Sequence, residues 1–331
     1  MNDLGRIGFY VRNGFEVIHF RSLFREIEGA VWVGRSKKRL SACGVKSNEP
    51  YAVSRFFLRR VMKANFDIII ATGGLPGGRP LTSPKLVMLQ YGYAKEPYNY
   101  GPWRSAADLI LAYGEYAQRR FSKHADSVVI GNPRWDEWID PDFQQSVKES
   151  IEPLLDSEKK TVLYAPTWGD LSSLPDWLDE ITALSHSYNV LFKPHHNSIR
   201  DGQISMHNNS GVITLPDEDL FKLISVADVV ISDISGAIFD AVLCKKPVVL
   251  VCSQNIEKKF GKKLDYQSIE IFQRKEFGII VKEKTKLFDT IKLAIQHGPK
   301  VSQAWRDDLF ETKGTVISRF KNAISQLNPE K

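Results

Sequence analysis

The feature that most constrains the fold of this chain is a regular alternation of short apolar runs with amphipathic stretches. Runs such as Phe66–Ala71 and Val229–Ser232 are nearly continuous in apolar residues, which is typical of strands covered on both faces of a sheet. Amphipathic stretches of helical period, such as Asp219–Val226, separate these runs. The alternation indicates repeated βα units and parallel sheets.

The apolar runs fall into two series. The first series predicts strands at Ile7–Val11, Val31–Val33, Phe66–Ala71, Leu86–Gln90 and Val128–Gly131, with Leu109–Ala112 compatible with a helix or a strand and a helix near Arg21–Glu28. The pattern lapses over 132–159, and a second series predicts strands at Thr161–Ala165, Val190–Lys193, Gly211–Leu215, Val229–Ser232 and Pro247–Val251. We therefore predict an α/β protein of two Rossmann-like, doubly wound domains facing a cleft, residues 1–145 and 146–331.

Composition excludes several classes of protein. Of the 331 residues, 43% are hydrophobic and 25% are charged, which argues against intrinsic disorder. No apolar run approaches the ~18 residues of a membrane-spanning helix, and the first residues lack the pattern of a signal peptide. The three cysteines do not suit a disulfide framework. We predict a cytoplasmic location.

The net charge of +6 is compatible with an anionic partner, such as an anionic membrane surface or a nucleic acid. The segment Tyr51–Ala64 alternates apolar and basic residues at helical spacing, which is typical either of a surface helix or of peripheral contact with the anionic inner face of a membrane. No base-stacking platform or nucleic-acid motif accompanies the charge, so we do not expect a nucleic acid partner.

Loops that follow parallel strands are the expected ligand sites. In the second series these loops are 166–170, 194–197, 233–236 and 251–254. The small residues Ser235 and Gly236 open a predicted helix, where free backbone amides could approach a phosphate, and Asp240 could reach a ribose. The alternative is that Ser235 caps the helix and Asp240 faces water.

The pair His195–His196 also follows a strand. No third ligand lies at a spacing that suits a metal, so we predict no metal site. An imidazole here could donate to an oxyanion or accept a proton near neutral pH, or it could be structural.

Several motifs together resemble a known family. They are the run Val162–Trp168, Lys193–His195, Asp228–Asp240, Lys246–Pro247, Leu89–Lys95, Gly131–Asp136 and Gly314–Thr315. They resemble the CDP-glycerol glycerophosphotransferase family, whose members make teichoic-acid and capsule backbones on a two-Rossmann GT-B scaffold. The likeness spans about 86–320 and implies that the amphipathic helix Val316–Leu327 crosses back to the first domain.

The resemblance implies a role for each matching residue. His195 would stabilise the donor phosphates or the leaving group, and Lys95 and Arg134 would contact anions or the acceptor. The donor would be held by Thr167, Lys193, Asp233, Ser235, Gly236, Asp240 and Thr315. The implied substrates are a CDP-linked donor and a polysaccharide or lipid-linked acceptor, with no cofactor and no required metal.

The sequence departs from the family pattern at three positions. Tyr91 stands where the family has a histidine of the catalytic type, Gly169 replaces an arginine, and Gly236 replaces the second serine of a Ser-Ser turn. Tyrosine, with a pKa near 10, is a poor general base. Glu96 and His19 are replacement candidates by residue type.

Other functions fit the same scaffold. A sugar transferase of capsule or lipopolysaccharide synthesis would use a nucleotide-sugar donor, and a non-hydrolysing UDP-sugar 2-epimerase would need no acceptor. A non-catalytic module would bind nucleotide without turnover. Screening CDP- and UDP-linked donors for binding would separate them.

Overall fold

A computed structural model describes residues 4–77, 82–200, 211–253 and 264–327. The chain divides into two compact units, each built from more than one stretch of sequence. The first unit comprises Met1–Tyr91, Tyr100–Glu137 and Asp307–Lys331, and the second comprises Gly92–Asn99 and Trp138–Arg306.

The strands in the described ranges are β1 (Ile7–Tyr10), β2 (Val31–Gly34), β3 (Tyr51–Val53), β4 (Ile68–Ala71), β5 (Lys85–Leu89), β6 (Leu109–Ala112), β7 (Ser127–Val129), β8 (Thr161–Tyr164), β9 (Asn189–Phe192), β10 (Val212–Thr214), β11 (Val229–Ser232), β12 (Val248–Val251) and β13 (Ile279–Val281).

The α-helices of the same ranges are α1 (Gly14–Arg25), α2 (Lys37–Ala42), α3 (Leu58–Asn65), α4 (Glu96–Asn99), α5 (Glu115–Phe121), α6 (Arg134–Trp138), α7 (Pro141–Ser150), α8 (Leu174–Ala183), α9 (His196–Arg200), α10 (Leu220–Val226), α11 (Ala237–Leu243), α12 (Ile269–Phe272), α13 (Arg274–Phe277), α14 (Leu287–His297), α15 (Gln303–Leu309) and α16 (Val316–Ser325).

The first unit contains a seven-stranded parallel sheet in the order β3-β2-β1-β4-β5-β6-β7. Gly8 of β1 lies opposite Val31 on one side and Ile69 on the other. The order reverses between β1 and β4, which makes the carboxyl ends of these two strands the topological switch point of the sheet. All four residues of β4 are buried, as expected for a strand covered on both faces.

The second unit contains a six-stranded parallel sheet in the order β10-β9-β8-β11-β12-β13. Its switch point lies between β8 and β11, where Val229 pairs with Val162. One face of the sheet packs its apolar residues against Trp177 and Ile181 of α8 and Ile291 of α14. The two doubly wound parallel sheets confirm the predicted fold class.

Some predicted element bounds were wrong. The helix near Arg21–Glu28 is α1 and begins at Gly14, because the Glu16 carboxylate accepts the Asn13 amide at 3.0 Å and closes the first turn. The helical interpretation of Tyr51–Ala64 fails at its start, where β3 occupies Tyr51–Val53 and α3 begins only at Leu58. Leu109–Ala112 is a strand.

The division of the chain differs from the predicted 1–145 and 146–331. The segment Gly92–Asn99 belongs to the second unit, and the boundary lies at Glu137 and Trp138. Helix α16 belongs to the first unit, where it contacts α1. Across the described ranges, we find no helix with the length and apolar content that crossing a membrane requires.

Candidate functional site

The switch point of the second unit brings two of the predicted donor residues together. Thr167 follows β8, Asp233 follows β11, and both side chains are buried. One Asp233 oxygen accepts the Thr167 amide at 2.8 Å, and the other accepts the Ser173 amide at 2.9 Å and the Ser173 hydroxyl at 3.0 Å. Asp233 therefore ties the loop after β8 to the loop after β11.

The burial of Asp233 bears on its predicted role. Desolvation raises the pKa of this carboxyl, and the hydrogen bonds from Ser173, Thr167 and Ile234 oppose that rise. Because the carboxylate is fully enclosed and already accepts these donors, its contribution to a donor site is to position Thr167. Direct contact between Asp233 and the donor is not favoured by this geometry.

Lys95 lies beside Thr167, although in the sequence it falls between strands β5 and β6 of the first sheet. Its ammonium donates to the Thr167 hydroxyl at 3.0 Å, and its amide donates to Glu270 at 2.7 Å. The residue has a left-handed backbone with φ of 62°. Burial lowers the Lys95 pKa, and the carboxylates of Asp233 and Glu270 oppose that change. Lys95 is thus a cation of the second unit, next to the predicted donor residues.

Sequence reasoning missed Glu270, the partner of the Lys95 amide. Its side chain is fully buried, and its Oε2 has no hydrogen bond to any described residue. Burial is the main reason that its pKa rises to about 7, with the amide of Lys95 opposing the rise. No motif marks this position, since Ile269–Phe272 is an ordinary apolar turn of helix around one glutamate.

Glu96 does not fit its predicted role as a replacement general base. Its Oε1 accepts the amide of Ile269 at 2.9 Å, at the first residue of α12. The carboxylate therefore caps that helix, as acidic side chains commonly do. Glu96 and Lys95 together attach the segment Gly92–Asn99 to α12.

His195 follows β9 and is held on both sides. Its ring stacks on Trp168 at 5.8 Å and on His196 at 4.3 Å between centroids. The amide of Asn197 donates to Nδ1 at 3.2 Å, so the neutral ring carries its proton on Nε2. In this tautomer His195 can donate a hydrogen bond from Nε2 to an oxyanion.

Lys193 directly follows β9, two residues before His195, and its ammonium donates to the Pro216 carbonyl. Burial lowers its pKa, while the carboxylates of Asp217, Asp219 and Glu218 oppose that change. The side chain is thus directed at the loop after β10 in this structure, and its predicted contact with the donor stays a prediction.

The loop after β11 presents the remaining donor candidates of the second unit. The Ser235 hydroxyl accepts the amide of Ala237, the first residue of α11, at 3.4 Å, and Gly236 is the N-cap residue of that helix. A side chain added at Gly236 would meet no atom within 4 Å, so open space lies beside this turn. Asp240 is half-buried in the first turn of α11. In the fourth predicted loop, Gln254 lies outside the described residues.

Tyr91, which replaces the family histidine, lies in the first unit. Its ring packs 5.8 Å from Phe15, and burial raises its pKa above the ordinary value of 10. The phenol therefore keeps its proton near neutral pH and does not serve as a general base. His19, the other replacement candidate, shares a hydrogen bond of 3.2 Å with the Tyr113 hydroxyl.

Arg134 and Thr315 also belong to the first unit. Arg134 is 2% exposed, and its Nε lies 3.1 Å from a carboxylate oxygen of Glu137, so its predicted contact with an anion stays a prediction. Thr315 caps α16 by accepting the Ser318 amide at 3.3 Å. The first amides of that helix, of Val316 and Ile317, donate to the Asp136 carboxylate, and the predicted contact of Thr315 with the donor stays a prediction.

Two doubly wound parallel sheets with polar residues at their switch points define a protein of the GT-B fold class. A family model described as CDP-Glycerol:Poly(glycerophosphate) glycerophosphotransferase matches residues 112–310, and the chain belongs to this family. The match includes every predicted donor residue of the second unit.

Individual relatives agree with this assignment. A teichoic acid glycerol-phosphate transferase of Staphylococcus aureus is 25% identical over 61% of this chain and 54% of its own length. A teichoic acid poly(glycerol phosphate) polymerase of Staphylococcus epidermidis is 28% identical over 45% of this chain and 23% of its own. The chain thus spans about half or less of these curated relatives.

The solved structure of the wall teichoic acid polymerase TagF, soaked with CDPG, has the same fold. The TM-score is 0.75 at 15% identity, with 100% of this chain and 92% of that chain covered.

Proposed function

We propose that this protein transfers glycerol phosphate from CDP-glycerol to a hydroxyl group of a poly(glycerol phosphate)-type cell-surface acceptor. The observation that carries the proposal is the family match over 112–310, which spans the loops joined by Asp233. The named activities of the two staphylococcal relatives support the same donor and acceptor class.

The reaction is a phosphoryl-type transfer. The acceptor oxygen attacks the phosphorus that bears glycerol, the bond from this phosphorus to the bridging oxygen breaks, and CMP leaves. The acceptor hydroxyl loses its proton to solvent. In such a transfer the protein has little covalent chemistry to do, and positioning and charge stabilisation supply much of the rate. The raised pKa of Tyr91 is compatible with this reaction.

His195 is the residue that we assign to the developing negative charge. Its Nδ1 accepts the Asn197 amide, so the neutral ring carries on Nε2 the proton that would be donated to a phosphate oxygen or to the leaving CMP. Trp168 and His196 fix the ring plane by stacking. Lys95, held beside Thr167, supplies positive charge near the same loops. These groups need no metal ion, and we propose that turnover persists in EDTA.

The experiment is a transfer assay with labelled CDP-glycerol and a short poly(glycerol phosphate) acceptor, following both CMP release and label in the polymer. The same assay with UDP-N-acetylglucosamine as donor tests the alternative function of a sugar transferase. Incubation with UDP-N-acetylglucosamine in the absence of an acceptor tests the alternative function of an epimerase. His186, exposed on the surface of the second unit, gives a matched His186→Ala control for His195→Ala. Binding of CDP-glycerol without any transfer would contradict the proposal and favour a non-catalytic module.

We further propose that the protein contacts the anionic inner face of a membrane through the loop before α3. Phe56 is 79% exposed and Phe57 is 58% exposed, with the guanidinium of Arg55 over one ring and that of Arg60 over the other. Lys63 is exposed on the same helix. Exposed aromatic rings beside cations suit an interfacial position. Arg59 is excluded, because it donates to the Pro76 carbonyl.

Sedimentation with phosphatidylglycerol vesicles tests this contact. Each basic residue near an anionic surface contributes about 1 kcal/mol, so binding should weaken with salt and with Arg60→Gln. The double change of Phe56 and Phe57 to serine should abolish it, and Lys123→Gln, an exposed cation on another element, is the control. Binding that ignores salt and both variants would refute the membrane assignment.

A further inference from the structure

We propose that the first unit contains a second anion site, a pocket at its own switch point that binds the phosphate ester at the end of the acceptor chain. The pocket is lined by Arg12, Thr72, Gly73, Gly74, Tyr91 and Trp103. The identity of the ligand rests on the proposed function, whereas the anion site itself rests on the geometry below.

The pocket lies where the order of the first sheet reverses. Arg12 comes two residues after β1, and Thr72, Gly73 and Gly74 directly follow β4. The carboxyl ends of neighbouring strands at a switch point are the usual place for a ligand in a doubly wound sheet. The cavity has a volume of about 270 Å³, close to the lower end of the range of about 300–1,000 Å³ for small-molecule sites.

Arg12 is held in place for contact with a ligand. Its Nε and Nη2 donate to Glu16 at 3.1 and 2.8 Å, and Nη2 also contacts the Thr72 hydroxyl at 3.2 Å. Its Nη1 has no hydrogen bond to a described residue, and the Arg12 side chain is 40% exposed. One edge of the guanidinium is therefore anchored, and the other edge can donate to an anion.

Glu16 is the anchor and is not available to a ligand. Its side chain is 0% exposed and accepts the Thr72 hydroxyl at 2.6 Å and the Asn13 amide at 3.0 Å, besides its bonds from Arg12. Such a carboxylate fixes the geometry of the cation next to it. Arg12 is thereby preorganised without loss of its open edge.

The charge around the pocket favours an anion. The charged groups that act on Tyr91 are Arg104, Arg12 and Glu16, two cations and one anion. Arg104 is buried behind the pocket, 4.1 Å from the Trp103 ring, and burial lowers its pKa only to about 10, so it stays protonated at neutral pH. A partly desolvated net positive charge attracts a phosphate.

The remaining walls indicate which anion fits. The protonated Tyr91 hydroxyl can donate to a phosphate oxygen, and the rings of Tyr91 and Trp103 can pack against the carbon atoms of a polyol. Gly74 leaves its backbone open to a close approach, since a side chain added there would meet no atom within 4 Å. A polyol phosphate ester matches this combination better than free phosphate or free glycerol does.

Gly74→Val tests the site with little risk to the fold. A side chain added at Gly74, which lines the pocket, would meet no atom within 4 Å, so valine is accommodated there without a clash. Calorimetric titrations with sn-glycerol 3-phosphate, inorganic phosphate and glycerol would use the whole protein. We expect glycerol 3-phosphate to bind most tightly, and Gly74→Val and Arg12→Gln to weaken it at least about tenfold, the size expected for a charge-assisted hydrogen bond.

Arg25→Gln, which removes an exposed arginine from α1, the helix that carries Glu16, is the control and should bind like the parent. CDP-glycerol affinity should stay unchanged in Gly74→Val, because the predicted donor residues belong mainly to the second unit. If Gly74→Val binds glycerol 3-phosphate and uses the acceptor with the parent's KM, the inference is refuted, whatever the donor. If the parent fails to use CDP-glycerol but Gly74→Val still loses glycerol 3-phosphate, the proposed function fails and the anion site stands.

Binding to phosphatidylglycerol vesicles distinguishes the two sources of a polyol phosphate ester, which are the end of an acceptor chain and a lipid headgroup. An acceptor site predicts that Gly74→Val leaves vesicle binding intact. Loss of vesicle binding together with loss of glycerol 3-phosphate would assign the pocket to a lipid headgroup and overturn the acceptor assignment.

Discussion

Glu270→Gln should change how the stability of the second unit depends on pH. In the folded protein, burial raises the pKa of Glu270 from its ordinary 4.5 to about 7. A carboxyl with a raised folded pKa stabilises the fold below pH 4.5, and this contribution is lost as the pH rises through about 7. Each pKa unit is worth about 1.4 kcal/mol, so the whole loss is on the order of 3 kcal/mol.

The substitution keeps the local hydrogen bond and removes only the charge. The Gln oxygen can still accept the Lys95 amide, as Glu270 Oε1 does at 2.7 Å. Urea unfolding at pH 5 and pH 8, followed by tryptophan fluorescence, would compare the parent with Glu270→Gln. The free energy of unfolding of the parent should fall relative to the variant between these two values.

Glu283→Gln, which removes an exposed carboxylate from the same unit, controls for the loss of one negative charge. Parallel pH profiles for the parent and Glu270→Gln would refute the reasoning. In that case, the carboxyl would be charged in the folded state as easily as in the unfolded chain.

Three further predictions concern the second unit. His195→Ala should lower turnover by ~10²–10³-fold with little change in nucleotide affinity, measured by initial rates and calorimetry; parent-like turnover would remove its assigned role. Gly236→Val should weaken nucleotide binding more than Asp240→Ala does, because it fills the open space beside the turn, and titrations with CDP would show the order. Asp233→Ala leaves buried donors of Ser173 and the neighbouring loop without an acceptor, at about 1–3 kcal/mol for each. Its unfolding midpoint in urea should therefore drop, and an unchanged midpoint would contradict the central position of this carboxylate.

The fold could be predicted because buried parallel strands are continuous apolar runs. Strand β4 (IIIA) and strand β11 (VVIS) lie inside their sheets, and their apolar runs identify them as strands in the sequence. The edge strand β3 is short and partly exposed, so its sequence gave no such signal and its first residues resembled a helix of mixed apolar and basic residues. Strand β13 (IIV), also at an edge, was not predicted.

The loops of the candidate site could be predicted more readily than the roles of their residues. A strand end marks the loop that holds His195 or Ser235, since the chain direction fixes which end carries ligands. The pairing of Lys95 with Glu270 joins residues 175 positions apart, and the pairing of Asp136 with Val316 joins residues 180 positions apart. Local patterns carry no information about such contacts.

The way that each unit draws on distant stretches of sequence has a consequence for synthesis on the ribosome. Phe320 and Ile324 of α16 are buried in the first unit, yet they are translated after every residue of the second. At elongation rates of about 5–20 residues per second, the earlier part of the first unit must wait tens of seconds or less for its last helix. A nascent chain arrested when all residues up to Arg306 have left the ribosome and α16 is still inside it should therefore hold a protease-resistant second unit and a protease-sensitive first one. Equal resistance of both units in pulsed proteolysis of such arrested chains would show that α16 is dispensable for closure.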